Sequence, residues 1–220
     1  MDSLEQLQAE IVACRACPRL VDWRERVARE KRAAFRSEEY WGRPVPGFGD
    51  LRARLVVIGL APAAQGANRT GRMFTGDRSG AFLYAALHRA GYANQPEAVH
   101  RDDGLALRGA YITAPVRCAP PANRPTPAEL VACRPYLGRE LALLRGARVF
   151  LALGGFGYRA IAQELGIRPR PAFAHGLEVP LGDGRTVVCS YHVSQQNTFT
   201  GKLTEAMIDA VLERARALGA

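Results

Sequence analysis

Residues 54–77 read RLVVIGLAPAAQGANRTGRMFTGD, a short apolar run followed by a long loop rich in glycine and arginine. Three more apolar runs follow, at 110–115 (AYITAP), 148–154 (RVFLALG) and 186–192 (TVVCSYH). Apolar runs without alternation are typical of strands that are buried on both faces of a parallel sheet. Because a helical pattern follows each run, the sequence predicts an α/β fold, a three-layer α/β/α arrangement with a four-stranded parallel sheet.

The predicted helices lie between and after these runs. They span residues 80–90, 127–144, 155–165 and 203–218. Thr126 before Pro127, with Glu129 at the third helical position, is a typical helix start. No repeat or linker divides the chain, so we expect a single domain over residues 1–220, with a helical N-terminal segment over 1–53.

The composition is that of a globular protein. Apolar residues make up 48% of the chain and charged residues 23%, which excludes a disordered protein. The start, MDSLEQLQAE, is acidic and polar, unlike a secretory signal. No apolar run approaches the roughly 18 residues that cross a bilayer. These features predict a cytoplasmic protein without a membrane partner.

The charge is strongly positive and unevenly distributed. Lys and Arg total 30 against 21 Asp and Glu, a net charge of +9, and only Lys31 and Lys202 are lysines. Eight of the basic residues fall within residues 15–36, against three acidic residues. A basic surface of this kind suits a polyanion such as nucleic acid, because each phosphate contact releases counterions. The alternative is a solvated helix in an arginine-rich protein.

The five cysteines indicate a metal site more than a disulfide framework. Cys14 and Cys17 form a C-x2-C motif, and Cys118 and Cys133 form a second, wider pair. An odd count in a cytoplasmic chain argues against disulfides. Four thiolates can hold zinc or an iron–sulfur cluster, and the wide second pair favours the cluster. The alternative is four unrelated core thiols. Cys189 lies in an apolar run and is expected in a buried strand.

The loops that follow the predicted strands carry the chemically active side chains. Ligands of open α/β sheets bind beyond the carboxyl ends of the strands. In the loop over 61–80, Phe74 offers a flat face on which a base can stack, and Asp77 is the only carboxylate. Asp77 could instead cap the helix that starts near Gly80. His192 ends the last strand, where a purely structural histidine is the alternative.

Four motifs carry a family resemblance. They are G-L-A-P at 59–62, G-A-N-R-T-G-R-M-F-T-G-D at 66–77, C-A-P-P-A-N-R at 118–124 with the other three cysteines of the quartet, and H-V-S-Q-Q-N at 192–197. Through them the chain resembles the iron–sulfur uracil-DNA glycosylases, most closely family 5, also called type B. The resemblance extends over nearly the whole chain.

The resemblance implies a uracil-DNA glycosylase-like fold and a 4Fe–4S cluster on Cys14, Cys17, Cys118 and Cys133. It implies hydrolysis of the N-glycosidic bond of uracil in double- and single-stranded DNA, the first step of base excision repair. Other deaminated bases such as hypoxanthine are expected substrates. We further expect a monomer that acts on the nucleoid of a bacterial or archaeal cell.

The resemblance also implies residue roles. Asp77 and His192 are the predicted catalytic residues: Asp77 orients the attacking water and stabilises the sugar cation, and His192 donates towards a uracil carbonyl. The predicted base contacts are Gly59, Ala61, Phe74, Ala114, Asn123 and Asn197. For Asn123 and Asn197, capping a turn is the alternative.

Two positions depart from patterns of related glycosylases. Ala114 stands where related enzymes often have an asparagine that reads the uracil edge, and Leu60 stands where family 4 has a carboxylate. A site without the amide cannot strongly reject other bases, so relaxed specificity is expected. Two other function classes remain open from the residues alone: an iron–sulfur redox or radical protein, and a non-catalytic nucleic-acid-binding module with structural zinc.

Overall fold

Four parallel strands form the centre of the sheet, as predicted. In the computed structural model, which describes residues 3–220, they are β2 (Leu55–Ile58), β3 (Ala110–Thr113), β4 (Val149–Leu153) and β6 (Thr186–Ser190). Their spatial order is β3-β2-β4-β6, and each adjacent pair is parallel. All four are buried along their length, which is why they appear in the sequence as unbroken apolar runs.

Two short edge strands complete a six-stranded mixed sheet. β1 (Phe48–Gly49) pairs antiparallel with β3, and β5 (Glu178–Pro180) pairs antiparallel with β6. The sequence analysis did not predict either of them. They are two and three residues long, and they contain a glycine and a proline, which are unfavourable in strands.

Four helices correspond to the four predicted ones and agree with them to within two residues at each end. These four pack on the sheet, and four shorter or N-terminal ones surround it. They are α1 (Leu4–Ala13), α2 (Pro18–Glu30), α3 (Ala67–Thr70), α4 (Arg78–Arg89), α5 (Pro127–Leu143), α6 (Gly154–Glu164), α7 (Gln195–Phe199) and α8 (Glu205–Gly219). The capping box of α5 is present: Thr126 and Glu129 each accept a hydrogen bond from the other's backbone N–H.

Two cores lie on the two faces of the sheet, giving three layers. In β2, Leu55 and Val57 point to one face and Val56 and Ile58 to the other. The first core joins β2 to α4 and α8, and the second joins it to α5 and α6. Among residues 3–220, no helix is both long and apolar enough to cross a membrane.

Candidate active site

A pocket of about 370 Å³ opens at the carboxyl ends of the parallel strands. This is the edge at which an open α/β sheet binds its ligands. Six of the eight residues predicted for catalysis or base binding line its wall: Ala61, Phe74, Asp77, Ala114, Asn123 and His192. They come from the loops after β2, β3 and β6, so the pocket exists only once the sheet has brought three distant segments together.

Asp77 both caps a helix and faces the pocket. Its Oδ1 accepts a hydrogen bond from the N–H of Gly80 at 2.9 Å, which makes it the N-cap of α4. Its other oxygen lies against Gly66, where an added Cβ would sit 2.0 Å from Oδ2. Gly66 therefore leaves the room that the carboxylate occupies. The two alternatives that the sequence left open for Asp77 are thus compatible.

Two opposing effects act on the ionisation of Asp77. Burial raises the pKa of its carboxyl above the usual value, because the charged form loses water. Hydrogen bonds from the backbone N–H groups of Gly80 and Ser79, and the charge of Arg69, lower its pKa again. The carboxylate is therefore held in a desolvated place by donors that favour its ionised form.

Phe74 forms one wall of the pocket in a strained backbone position. Its φ is 52°, a left-handed value that is uncommon for a residue with a side chain. Its ring lies so close to Gly59 that a Cβ there would sit 2.8 Å from the ring Cζ. Gly59 thus supports the ring from behind and is not itself part of the pocket wall.

His192 lies across the pocket from Phe74, with 6.2 Å between the two ring centroids. It is half-buried, and desolvation lowers the pKa of its imidazole to about 4. The ring is therefore neutral near pH 7 and has one N–H to donate. The side-chain amide of Asn197 donates to the His192 carbonyl at 2.8 Å. The contact of Asn197 is thus with the loop that carries His192, and Asn197 is not part of the pocket wall.

The remaining base-contact candidates differ in exposure. Ala61 is half-buried and Ala114 is buried, and both present small side chains to the pocket. Asn123 is exposed at the end of a 3-10 turn, Pro121–Asn123, with a φ of 54°. It is an exposed residue of the pocket lining.

Sequence reasoning missed one side of the pocket. Gly154, Gly155 and Phe156, at the start of α6, line it opposite the loop after β2, and Ser194 adds a hydroxyl beside His192. The glycine pair at the boundary between the predicted strand over 148–154 and the predicted helix over 155–165 was the available signal. A close backbone approach at the end of a strand is a common reason for glycine there.

The four predicted cluster cysteines meet around one small cavity. Cys14 and Cys17 flank the turn between α1 and α2, Cys118 follows β3, and Cys133 lies on α5. Burial raises the pKa of the Cys118 thiol to about 11 and that of Cys133 to about 12. Cys189 lies apart, fully buried in β6, as expected.

The cavity is lined by thiols and by buried cationic donors, which suit an anionic group. Within residues 3–220, no three His, Cys, Asp or Glu side chains are close enough to hold one metal ion. Two buried arginines line the cavity, and the Nε–H groups of both, Arg24 and Arg117, have no protein partner. Arg24 also donates to Cys118 Sγ at 2.9 Å. Cationic donors facing four thiols fit a 4Fe–4S cluster held by thiolates.

A short segment connects the two sites. Residues 114–118 leave β3 with Ala114 on the pocket wall and end with Cys118 on the cysteine cavity. Beneath this segment, the fully buried Glu140 accepts hydrogen bonds from Thr113 and from the Arg117 guanidinium. The two sites therefore share one rigid, hydrogen-bonded stretch of chain.

The basic segment over residues 15–36 is only partly available to a polyanion. Arg26, Arg29, Arg32 and Arg36 are exposed. Arg24 is 2% exposed and lines the cysteine cavity, so its side chain is not part of the basic surface that this segment was expected to form.

The family model described as the Uracil DNA glycosylase superfamily matches residues 46–216. The match covers the sheet, the pocket and the second cysteine pair, and the chain belongs to this superfamily.

Its curated relatives place it near one branch. The type-5 uracil-DNA glycosylase of Mycobacterium tuberculosis is 55% identical over 219 residues, 98% of this chain and 82% of that protein. That of Thermus thermophilus is 55% identical over 209 residues, 94% of each chain. That of Pyrobaculum aerophilum is 49% identical over 207 residues, 94% of this chain and 89% of the relative.

Proposed function

We propose that this uracil-DNA glycosylase removes uracil from DNA by hydrolysing its N-glycosidic bond in the pocket at the ends of β2, β3 and β6, which starts base excision repair. The observation that carries the proposal is the convergence of Phe74, Asp77 and His192 in one pocket. It occurs in a chain 49% to 55% identical to type-5 uracil-DNA glycosylases.

The pocket binds a base that has left the duplex. A glycosylase cannot reach the glycosidic bond of a stacked base, so the nucleotide must rotate out of the helix. The Phe74 ring provides the face on which the extruded base stacks. Gly59 keeps that ring in place from behind, because any side chain there would displace it.

Asp77 serves the sugar side of the reaction. Cleavage of the bond leaves positive charge on the sugar and negative charge on the departing base. A carboxylate at the pocket wall stabilises the sugar cation and orients the water that attacks it. Its hydrogen bond to Gly80 fixes its position, so little reorganisation is needed when charge develops.

His192 serves the base side. A neutral imidazole donates a hydrogen bond to a carbonyl oxygen of the base as that oxygen becomes negative. The low pKa of His192, about 4, keeps the ring neutral, and it therefore acts as a donor without transferring its proton. Asn197 holds the backbone of this residue through its bond to the His192 carbonyl.

The substrate range extends to other deaminated bases such as hypoxanthine. Ala114 presents only a methyl group where an amide would read the edge of uracil. A pocket lacking that amide has one polar group fewer to leave unpaired when a different base enters, so it discriminates more weakly. We include in the proposal action on double- and single-stranded DNA, as a monomer and a single domain over 1–220, at the nucleoid in the cytoplasm of a bacterium or archaeon.

A 4Fe–4S cluster on Cys14, Cys17, Cys118 and Cys133 is part of the proposal. The four thiols around one cavity and the unpaired Nε–H groups of Arg24 and Arg117 support it. Hydrolysis needs no electron, so the cluster would supply structure. Its four cysteine ligands would tie the turn after α1 to α5 and to the segment over 114–118.

The test is product formation on defined duplexes. Duplexes with one uracil, one hypoxanthine or only normal bases are incubated with the protein, and abasic sites are cleaved with alkali and resolved on a gel. We expect fast cleavage at uracil, slower cleavage at hypoxanthine and none at normal bases. An uncleaved uracil duplex contradicts the activity; an uncleaved hypoxanthine duplex contradicts only the broader range.

A further inference from the structure

Arg69 is a buried arginine in the loop that follows β2. Its side-chain nitrogens donate to two backbone carbonyls of that loop and to Glu38. It lies in α3 and is 6% exposed. Its Nε donates to the carbonyl of Gln65 at 2.9 Å, and its Nη2 donates to the carbonyl of Gly76 at 2.7 Å. Its Nη1 pairs with Glu38, and its guanidinium lies 3.9 Å from the ring centroid of Phe35.

Arg69 binds the carbonyl groups of two residues that each stand just before a residue at the catalytic carboxylate. Gln65 precedes Gly66, and Gly76 precedes Asp77, whose Oδ2 fills the space where Gly66 has no Cβ. The guanidinium thus joins the two ends of the loop on either side of that contact. We infer that Arg69 is a positioning residue for Asp77, because it clamps the loop at Gln65 and Gly76 on the two sides of that contact. This inference rests on the proposed function.

Among the charged groups considered around Asp77, Arg69 is the one whose charge acts on its ionisation. The charge of Arg69 favours the ionised form of Asp77. Arg78, the next residue in the chain, stacks its guanidinium over the Phe199 ring at 5.2 Å. His192, across the pocket, is neutral because its pKa is about 4. Glu38 pairs with the Arg69 guanidinium, and its negative charge offsets part of the positive charge there.

The N-terminal segment holds α3, and with it Arg69, in place. The backbone N–H groups of Trp41 and Gly42 donate to the carbonyls of Arg69 and Asn68 at 2.9 and 3.0 Å. The Tyr40 hydroxyl donates to the side-chain oxygen of Gln65 at 2.6 Å. The geometry of the catalytic carboxylate therefore depends on residues that precede the first central strand.

The experiment is the pH dependence of single-turnover uracil excision for Arg69→Gln and Arg69→Lys. If Asp77 acts as a carboxylate, activity rises with pH through its pKa. Loss of the cation in Arg69→Gln raises that pKa, so the acid limb moves to higher pH, and the plateau falls by about tenfold or more. Arg69→Lys keeps the charge but not the two-carbonyl clamp. We expect its limb to stay near wild type while its plateau falls.

Arg72→Gln is the matched control. Arg72 is a second buried arginine of the same loop, bonded to Thr75 and Asp103, and it is not among the groups that shift Asp77. Its removal should lower the melting temperature and leave the acid limb where it is. The Arg69→Gln/Asp77→Asn double variant should be no slower than Asp77→Asn alone, because Arg69 acts through Asp77.

An unmoved acid limb in Arg69→Gln overturns the inference, as does a further loss in the double variant equal to that of Arg69→Gln alone. If Arg69→Gln does not fold, Glu38→Gln is the variant to test. It removes the negative charge that pairs with Arg69, which lowers the pKa of Asp77, so the acid limb should move to lower pH. An unmoved limb there also overturns the inference. Wild-type protein without uracil excision would contradict the proposed function instead.

Discussion

The base pocket and the cysteine cavity both contain desolvated polar groups, but they differ in whether those groups are satisfied by the protein. Asp77 accepts from Gly80, and the Arg69 donors beneath the pocket all have partners. In the cysteine cavity, the Nε–H groups of Arg24 and Arg117 are buried without one. A site that releases its ligand at every turnover must be stable when empty, so its buried polar groups need partners within the protein. A site that keeps its ligand can contain buried donors that pair only with that ligand.

The strongest test of this contrast is removal of a cavity ligand. In Cys133→Ala, loss of the cluster leaves the buried Nε–H groups of Arg24 and Arg117 without an acceptor. We expect little folded protein, since metal binding is coupled to folding. The wild-type protein should be brown, with iron and sulfide at about four each per chain. Cys189→Ala is the control and should keep the fold and the iron and sulfide content. Colourless wild-type protein with one zinc would refute the cluster.

The second test removes a charge from the pocket, where we expect activity to change and the fold to remain. Asp77→Asn keeps the shape and the capping capacity, because asparagine caps helices as well as aspartate. Single-turnover excision should fall by roughly 10²-fold or more, the range for a positioned acid–base group. Duplex affinity and melting temperature should stay near wild type. Near-full activity would mean that Asp77 is only a helix cap.

The third test concerns the arginines that belong to neither site. We expect charge reversal at the exposed pair Arg26 and Arg29 to weaken binding of uracil-containing and normal duplexes equally, by several-fold, and to reduce the salt dependence. Arg52→Glu, which alters an exposed residue before β2 at the opposite end of the strands, is the control and should bind as wild type. An effect limited to the uracil duplex would instead indicate contact with the base.

The smallest expected effect is on pH-dependent stability. His192 has a pKa of about 4 when folded and about 6.5 when unfolded, so the unfolded chain binds more protons between these values. The stability from the neutral ring is complete above about pH 6.5 and declines as pH falls towards 4. His192→Gln should flatten this part of a melting-temperature profile. Identical profiles would mean that the ring is solvated.

The sequence predicted the features that apolar patterns and motif spacing determine. The four central strands, the α5 cap and the convergence of Phe74, Asp77 and His192 at one sheet edge all follow from such signals. The edge strands did not, because two or three residues carry no pattern. The count of basic residues did not separate Arg24 from Arg26 either. Arg24 lies at helical spacing from Leu20 and Val27, on the buried face of α2, whereas Arg26 is exposed. The cluster and the residue roles stay predictions.

Through the segment over 114–118, the proposed cluster would make this repair activity depend on the supply of iron. It is five residues long, with the pocket wall at one end and a proposed cluster ligand at the other. A cell that is short of iron, or exposed to oxidants that degrade iron–sulfur clusters, would lose the anchor of that segment and with it the shape of the pocket. The capacity of such a cell to remove uracil from its DNA would then be limited by its iron supply as well as by the abundance of the enzyme.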